Sequence, residues 1–339
     1  MSITLLTLGD IMLGEDHYHY RRGIRTKYEN NYSNIITNEI KKELFKRIDM
    51  LFFNFEFSLV EPGFKFERIS SLIFRAREKC LQVFPDNVKK IANIANNHFS
   101  QHGKDASKYT KEILRKNNFI IIGESNKPTT VNKKNIKMEF WGVSLIKDNN
   151  FCNEYYFSDY YNLPAELSEY VKGNDEYWVI SIHWGDEYIK IPSKRQIDLA
   201  HKLSEMGFDL IIGHHPHVIQ PVDVYNNTII IYSLGNFIFD HNFSNRTKQG
   251  LVVSLLIDRG IKVEKTFKTY QYKYIVSNYK PIEFKDHIKE KQLYSVKLKF
   301  VNYFMRILMK IELLIHLYKV NGQTLRFLIS RIIKHKKQV

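Results

Sequence analysis

The sequence predicts an α/β protein with a mixed β-sheet, followed by a basic helical tail. Strand-like apolar runs recur along the chain, and segments with helical periodicity separate several of them. After residue 228 the helical patterns give way to strand-like runs, and such a change is typical of an α/β core with a mixed sheet. The composition turns basic and helical near residue 285, so we expect a domain at 1–284 and a tail at 285–339.

The predicted strands are short apolar runs that end in polar or turn residues. They cover residues 3–8, 50–55, 119–123, 138–145, 177–184, 208–213 and 228–237. Amphipathic helices are predicted between them at residues 38–48, 104–117 and 193–207. One face of the first helix carries Ile40, Leu44, Phe45 and Ile48. The third is expected to have Ser193 as its N-cap and to stop at Gly207.

The composition limits which classes of protein and which cellular compartments fit the sequence. The chain has 339 residues, 44% of them apolar, which is enough to bury a sizeable core. Cys80 and Cys152 are the only cysteines, so a disulfide framework and a cysteine-based metal site are excluded. No signal-peptide pattern stands at the N-terminus, and no long uncharged apolar segment is present. We therefore expect a cytoplasmic protein.

The positive charge of the chain is concentrated in the tail. Residues 285–339 carry thirteen Lys/Arg and three Asp/Glu, so +10 of the total net charge of +15 lies there. This distribution argues against nucleic-acid binding by the main domain. The tail has two apolar segments with basic stripes, which predict amphipathic helices that contact an anionic membrane surface, at the inner membrane face, or an acidic partner. Packing of these helices on the domain is the alternative.

A cluster of three histidines follows the apolar run at 208–213. The stretch "GHHPHVIQP" at 213–221 is either a metal site or a surface loop, and the sequence around it favours the metal site. Other polar residues also end predicted strands or lie in the loops beyond them, where sites form in α/β sheets. They are Asp10, Asn54, Glu56, Asn96, Asn97, His98 and His183. Each alone has a structural explanation, but together they form an O/N ligand set suited to Mn, Fe, Zn or Mg.

Seven motifs follow one another within residues 3–240: "GDIMLGE", "NFEFSL", "FRA", "ANNHFSQHG", "HWGDEY", "GHHPHVIQP" and "YSLGNFIF". In this order they resemble the CapA family of capsule and poly-γ-glutamate biosynthesis, which is itself similar to calcineurin-like metallophosphoesterases. The resemblance implies a four-layer α/β/β/α sandwich with two metal ions between the sheets, manganese being the first choice.

The resemblance also implies a role for each motif residue. Asp10 and His217 would bind the first ion, and Glu56 would bridge the two ions. The implied ligands of the second ion are Asn97, His183 and His215. His98 would be the general acid, while His214 is a spare histidine. The implied residues behind the ligands or at the substrate are Asn54, Arg75, Glu187 and Asn236.

Two positions depart from these families. Metallophosphoesterases have a histidine two residues after the first aspartate, where this chain has Met12, so we expect a weakly held first ion. CapA-like sequences usually have Asp where Gln101 stands. Loss of that carboxylate is expected to leave His98 less well oriented or less basic.

The resemblance therefore implies a metal-dependent phosphoesterase, a hydrolase of capsule or cell-surface polymer synthesis, acting on a phosphoester or polymer substrate. The alternative is a non-catalytic accessory protein of poly-γ-glutamate or polysaccharide capsule synthesis that keeps the fold for binding. A full ligand set favours chemistry, whereas Met12 and Gln101 favour the accessory role.

Overall fold

The structure is a computed structural model that describes residues 2–16, 19, 21–67, 73–148, 152–241, 243–257, 266–273, 285–286 and 311–312. Two β-sheets stack face to face, and helices cover the outer face of each one. The four-layer α/β/β/α sandwich is therefore confirmed. Nearly all of the tail lies outside the described residues, so its helices, its partners and the boundary at residue 284 stay predictions.

The first sheet has eight strands and is parallel at its centre. Its strands are β1 (Ile3–Ile11), β2 (Met50–Phe55), β5 (Lys89–Asn93), β6 (Phe119–Ile122), β13 (Asn236–Ile238), β14 (Gln249–Ile257), β15 (Thr266–Lys273) and β16 (Lys285–Asp286). The order is β16-β15-β14-β1-β2-β5-β6, and β13 pairs with the end of β1. β14 runs antiparallel to β1, so the predicted mixed sheet is confirmed.

The second sheet has six strands, and a separate pair, β3 (Ser58–Val60) and β4 (Arg75–Arg77), lies outside both sheets. The strands of the second sheet are β7 (Thr129–Lys133), β8 (Ile136–Ser144), β9 (Glu176–His183), β10 (Leu210–His214), β11 (Val222–Tyr225) and β12 (Thr228–Ile231). Their order is β11-β12-β10-β9-β8-β7. The single strand predicted at 228–237 is wrong, because the chain turns at Gly235 (φ 68°) and β13 joins the other sheet.

Five α-helices are described: α1 (Ile24–Tyr28), α2 (Asn38–Leu44), α3 (Gly103–Lys116), α4 (Leu163–Leu167) and α5 (Lys194–Glu205). The start of α5 is a capping box, in which Ser193 Oγ accepts from Gln196 N and Gln196 Oε1 accepts from Ser193 N. α2 ends earlier than predicted, and Arg47 turns the chain with φ 61°. No helix in the described part of the chain is long and apolar enough to cross a bilayer.

The central strands bury side chains on both faces. Phe52 packs between the two sheets with Phe140 and Ile212, whereas its neighbour Phe53 faces the helices on the outer side. Strands buried on both faces are apolar throughout. This is why "MLFFNF" has no polar alternation until Asn54, at the carboxyl end of β2, where both sheets bring polar side chains together.

Candidate metal centre

The site lies at the carboxyl ends of strands from both sheets. Asp10 in β1 lies beside Asn54 in β2 and Asn236 in β13. In the facing sheet, His183 at the end of β9 pairs with His214 at the end of β10. The stacking of the sheets brings these two sets together, as the sequence predicts for this edge of an α/β fold.

Glu56 lies at the middle of the site. Its Oε1 atom is 3.7 Å from Nε2 of His217, 3.8 Å from Nε2 of His98 and 3.9 Å from Nε2 of His183. These distances are too long for hydrogen bonds, and Glu56 Oε1 is buried without a hydrogen-bond partner among the described residues. A carboxylate oxygen among three imidazole nitrogens fits a position next to a cation.

Three imidazole nitrogens of the histidine turn, residues 214–217, are also buried without a hydrogen-bond partner in the described part of the chain. They are Nε2 of His214, Nδ1 of His215 and Nε2 of His217. Buried polar atoms in native proteins nearly always have partners, so these atoms fit the unfilled valences of metal ligands. The donor set of carboxylate, imidazole and amide suits a divalent ion such as Mn, Fe or Zn.

The predicted ligands of the first ion converge. Ligand atoms of Asp10, Glu56 and His217 all lie within 4.8 Å of one another. Nδ1 of His217 lies 2.9 Å from Asn236 Oδ1, which places Asn236 behind this ligand, where it orients the ring. Met12 is buried, and its sulfur accepts a hydrogen bond from Gly14 N at 3.1 Å.

The predicted ligands of the second ion also meet. His183 Nε2 lies 2.7 Å from Asn97 Oδ1, and the rings of His183 and His215 are 4.8 Å apart. The turn that carries the histidines is strained, because His215 and His217 have φ values of 93° and 53°. Strain of this kind collects at functional sites.

Hydrogen bonds behind the ligands hold the carboxylates in place. Asn54 Nδ2 donates to Asp10 Oδ1 at 2.9 Å and to Glu56 Oε2 at 3.1 Å. The Asn54 oxygen in turn accepts from Asn93 and Asn96. His214, a spare histidine in the sequence, lies with Nδ1 2.9 Å from Asp10 Oδ1 and orients this ligand. Asn93 was not among the predicted site residues, although it too is a polar residue at the carboxyl end of a strand, β5.

Burial and charge shift the pKa values of the ligands in opposite directions. Burial, followed by the charge of Asp10, raises the pKa of Glu56 well above its usual value. Burial lowers the pKa of His215 to about 3 and that of His183 well below its usual value. For His217, burial is outweighed by the nearby carboxylates, Glu56 first, and its pKa rises to about 10. Hydrogen bonds from His214 and His217 outweigh burial at Asp10 and lower its pKa.

His98 lies at the rim of the site. Its ring stacks on Phe74 with centroids 3.8 Å apart and planes at 9°, and its Nδ1 lies 2.7 Å from Gln101 Oε1. The Gln101 amide oxygen can accept the hydrogen bond that an aspartate would accept, and the expectation that His98 is less well oriented or less basic than with aspartate stays a prediction. What the amide lacks is the negative charge.

Arg75 and Glu187 occupy two further positions. Arg75 Nε is buried without a hydrogen-bond partner, and Arg75 has no acidic partner among the described residues. Its guanidinium lies 4.8 Å from the Phe64 ring centroid, and burial lowers its pKa. Glu187 is exposed, and its carboxylate lies within 4.8 Å of ligand atoms of His215 and His217.

A second group of buried acidic and imidazole side chains lies beside the site. Ligand atoms of Asp16, His19 and Asp240 lie within 4.8 Å of one another. His241 links the two groups, because its ring is 4.7 Å from that of His217 and its Nε2 is 3.7 Å from Asp16 Oδ2. The stretch "DHYHY" at 16–20 is a signal for this group in the sequence, but it follows no strand end directly.

The four-layer sandwich, with carboxylates, histidines and amides clustered between its sheets, is a metallophosphoesterase-like fold. The family described as "Bacterial capsule synthesis protein PGA_cap" matches residues 4–241, and the chain belongs to this family. The expected family is thus confirmed.

Relatives and solved structures are similar to the chain over most of its length. The "PGA biosynthesis protein CapA" of Bacillus subtilis (strain 168) is 28% identical over 72% of this chain and 65% of its own length. The "Capsule biosynthesis protein CapA" of Bacillus anthracis is 29% identical over 77% of this chain and 66% of its own. The chain thus spans about two thirds of the length of these relatives. The crystal structure of TT1561 of Thermus thermophilus is similar with a TM-score of 0.41 and 8% identity, covering 74% of this chain and 94% of the other.

Proposed function

We propose that the chain is a metal-dependent phosphoesterase that acts in the synthesis of a capsule or another cell-surface polymer. The observation that carries this proposal is the position of Glu56 Oε1, buried without a hydrogen bond among three imidazole nitrogens. The names of the two Bacillus relatives supply the biological context. The substrate is a phosphoester, free or attached to a growing polymer.

The side chains that converge on Glu56 would hold two divalent ions, for which manganese is the first choice. Asp10 and His217 would hold one ion, the other would be held by Asn97, His183 and His215, and Glu56 would bridge them. When bound, such ions supply a nucleophile at neutral pH and neutralise charge on the phosphoryl oxygens. Asn54, Asn236 and His214 fix the ligand orientations and therefore the geometry of the centre.

His98 is proposed as the general acid. If Nδ1 donates its hydrogen to Gln101, the opposite nitrogen, Nε2, faces the centre, 3.8 Å from Glu56. A protonated Nε2 at this place can give its proton to a leaving alkoxide, an effect of about 10²–10⁴-fold in rate. Stacking on Phe74 fixes the plane of the ring, so the proton is delivered in one direction.

Arg75 is proposed to bind an oxygen of the substrate phosphate. A guanidinium that lacks an acidic partner among the described residues is available for an anion, and it can form two parallel hydrogen bonds to phosphate. Arg77, two residues away, is already paired with Glu29 at 2.8 Å. Arg75→Ala should therefore raise KM. Arg77→Ala is the matched control and should raise KM less.

The test of this function compares leaving groups. His98→Ala should keep its metal but hydrolyse alkyl phosphates about 10²-fold more slowly or worse. Hydrolysis of p-nitrophenyl phosphate should fall much less, because p-nitrophenolate leaves without a proton. His201→Ala is the control, since His201 stacks on Tyr225 at the outer helical layer. Equal losses for both leaving groups would contradict the role of His98.

The alternative is an accessory protein that binds polymer without turnover. It is favoured by Met12, whose buried sulfur is already engaged by Gly14 N. A metal-loaded wild type that is inert toward a broad panel of phosphoesters, with Gln101→Asp equally inert, would count decisively against phosphoester chemistry. Activity that rises in Gln101→Asp would support catalysis, because the new carboxylate adds charge behind His98.

A further inference from the structure

The first ion of the proposed centre has positions open to a further ligand. Asp10, Glu56 and His217 supply three ligand atoms within 4.8 Å of one another. Zinc usually has four ligands and manganese six, and water or another side chain can take the positions that these three residues leave. Met12 does not add one here, since a thioether is a soft ligand and its sulfur accepts from Gly14 N.

Glu187 is placed to supply a further ligand. Its carboxylate forms a compact group with imidazole nitrogens of His215 and His217, all within 4.8 Å. We infer that Glu187 is a ligand of the metal centre, bound on its solvent-facing side, and that it compensates for Met12. This inference rests on the proposed metal centre, and it goes beyond the sequence resemblance, which implied only a place behind the ligands or at the substrate for Glu187.

The loop that carries Glu187 is fastened to the histidine turn on both sides. Trp184 N donates to His214 O at 3.1 Å, and Tyr188 N donates to Pro216 O at 2.7 Å. Between these bonds the chain turns at Gly185 with φ 84°, where a Cβ would lie 2.7 Å from Nε2 of Gln196. Tyr188, with φ 66°, completes the turn. The backbone therefore keeps Glu187 close to the two histidines.

Exposure separates Glu187 from the other ligands. Asp10, Glu56 and His217 are fully buried, whereas Glu187 is exposed. Glu187 would therefore bind the centre from the side that faces solvent, while the other ligands hold it from within the protein.

Metal titration of the full chain tests this ligand without an activity assay. After treatment with a chelator, the wild type and variants are titrated with Mn²⁺ and, separately, Zn²⁺ by calorimetry. Glu187→Gln should raise the Kd of the weaker of the two metal sites about ten-fold or more. Ten-fold is the lower end of the losses in metal affinity measured for residues behind metal ligands. Asp186→Asn removes the same charge from the neighbouring exposed residue and should bind as the wild type does.

A second variant separates ligation from charge. Glu187→His is neutral but can still bind a metal, so it should keep most of the affinity that Glu187→Gln loses. A Glu187→His affinity as low as that of Glu187→Gln would overturn ligation, as would wild-type binding by Glu187→Gln. In both cases the proposed centre would stand if the wild type binds metal. A wild type that binds neither ion would overturn the centre and Glu187 together.

Discussion

Replacing Glu56 by glutamine should change the stability of the protein in opposite directions without and with metal. Glu56 is fully buried, and burial together with the Asp10 charge raises its pKa well above the usual value. Without metal at pH 7.5 its charge is therefore costly to maintain. Glutamine has the same shape, and its oxygen can still accept from Asn54 Nδ2, which lies 3.1 Å from Glu56 Oε2.

The size of both changes follows from the buried position. A carboxyl pKa that is raised in the folded protein costs about 1.4 kcal/mol of stability for each unit of the rise when the pH lies above it, and glutamine has no such cost, so Glu56→Gln should raise the free energy of unfolding in chelator. In metal, the wild type gains about 2.7 kcal/mol when the free ion is at 100 times its Kd. Each tenfold loss of affinity removes about 1.4 kcal/mol of that gain. The variant should therefore become the less stable protein in metal.

Urea unfolding in EDTA and in Mn²⁺ at pH 7.5 measures both differences. Glu139→Gln is the matched control, because Glu139 is also buried but accepts from Thr130 Oγ1 and pairs with Lys137 at 2.9 Å, away from the centre. Its effect should be the same with and without metal. If Glu56→Gln behaves like this control, Glu56 is not a metal ligand and the reasoning fails.

Two further predictions concern stability outside the ligands. Burial, followed by the charge of Arg75, lowers the pKa of His102 to about 4, so the stability that its neutral form contributes is complete above about pH 6.5 and is lost as the pH falls toward 4. Between pH 7 and pH 4.5 the wild type should lose about 2–3 kcal/mol of its free energy of unfolding through His102. His102→Gln should not show this part of the loss when both proteins are unfolded in urea. Ser193→Ala should lower the free energy of unfolding by about 1 kcal/mol in the same assay, because it removes the side-chain half of the α5 capping box. An unchanged urea midpoint would refute the cap.

Much of the fold, and the convergence of the candidate site residues, could be predicted because local signals and topology agree. Apolar runs with polar ends marked β1, β2, β9 and β10, and a polar residue at a strand end points to the shared edge of the sheet. Ser193 and Gly207 marked the ends of α5 in the same local way, and the structure confirms both, with φ 99° at Gly207.

What the sequence did not predict depends on contacts between distant segments. His214 contacts Asp10 across 204 positions, and Asn93 contacts Asn54 across 39. No local pattern distinguishes a histidine that orients a carboxylate from a spare one. The proximity of Glu187 to His215 and His217 is likewise not visible in the sequence, because it depends on backbone hydrogen bonds between two separate loops.

The arrangement of the centre lowers the stability of the metal-free protein, and this cost is an argument that the centre has a function. Three atoms of Glu56, His215 and His217 are buried without hydrogen-bond partners among the described residues, and both histidines have a left-handed backbone. Each such feature costs on the order of 1–3 kcal/mol, against a total stability of about 5–15 kcal/mol for a typical domain. A fold kept only as a scaffold would gain stability by losing these groups. The proposed metal binding would offset the cost, so the same residues would link the stability of the protein to its proposed chemistry.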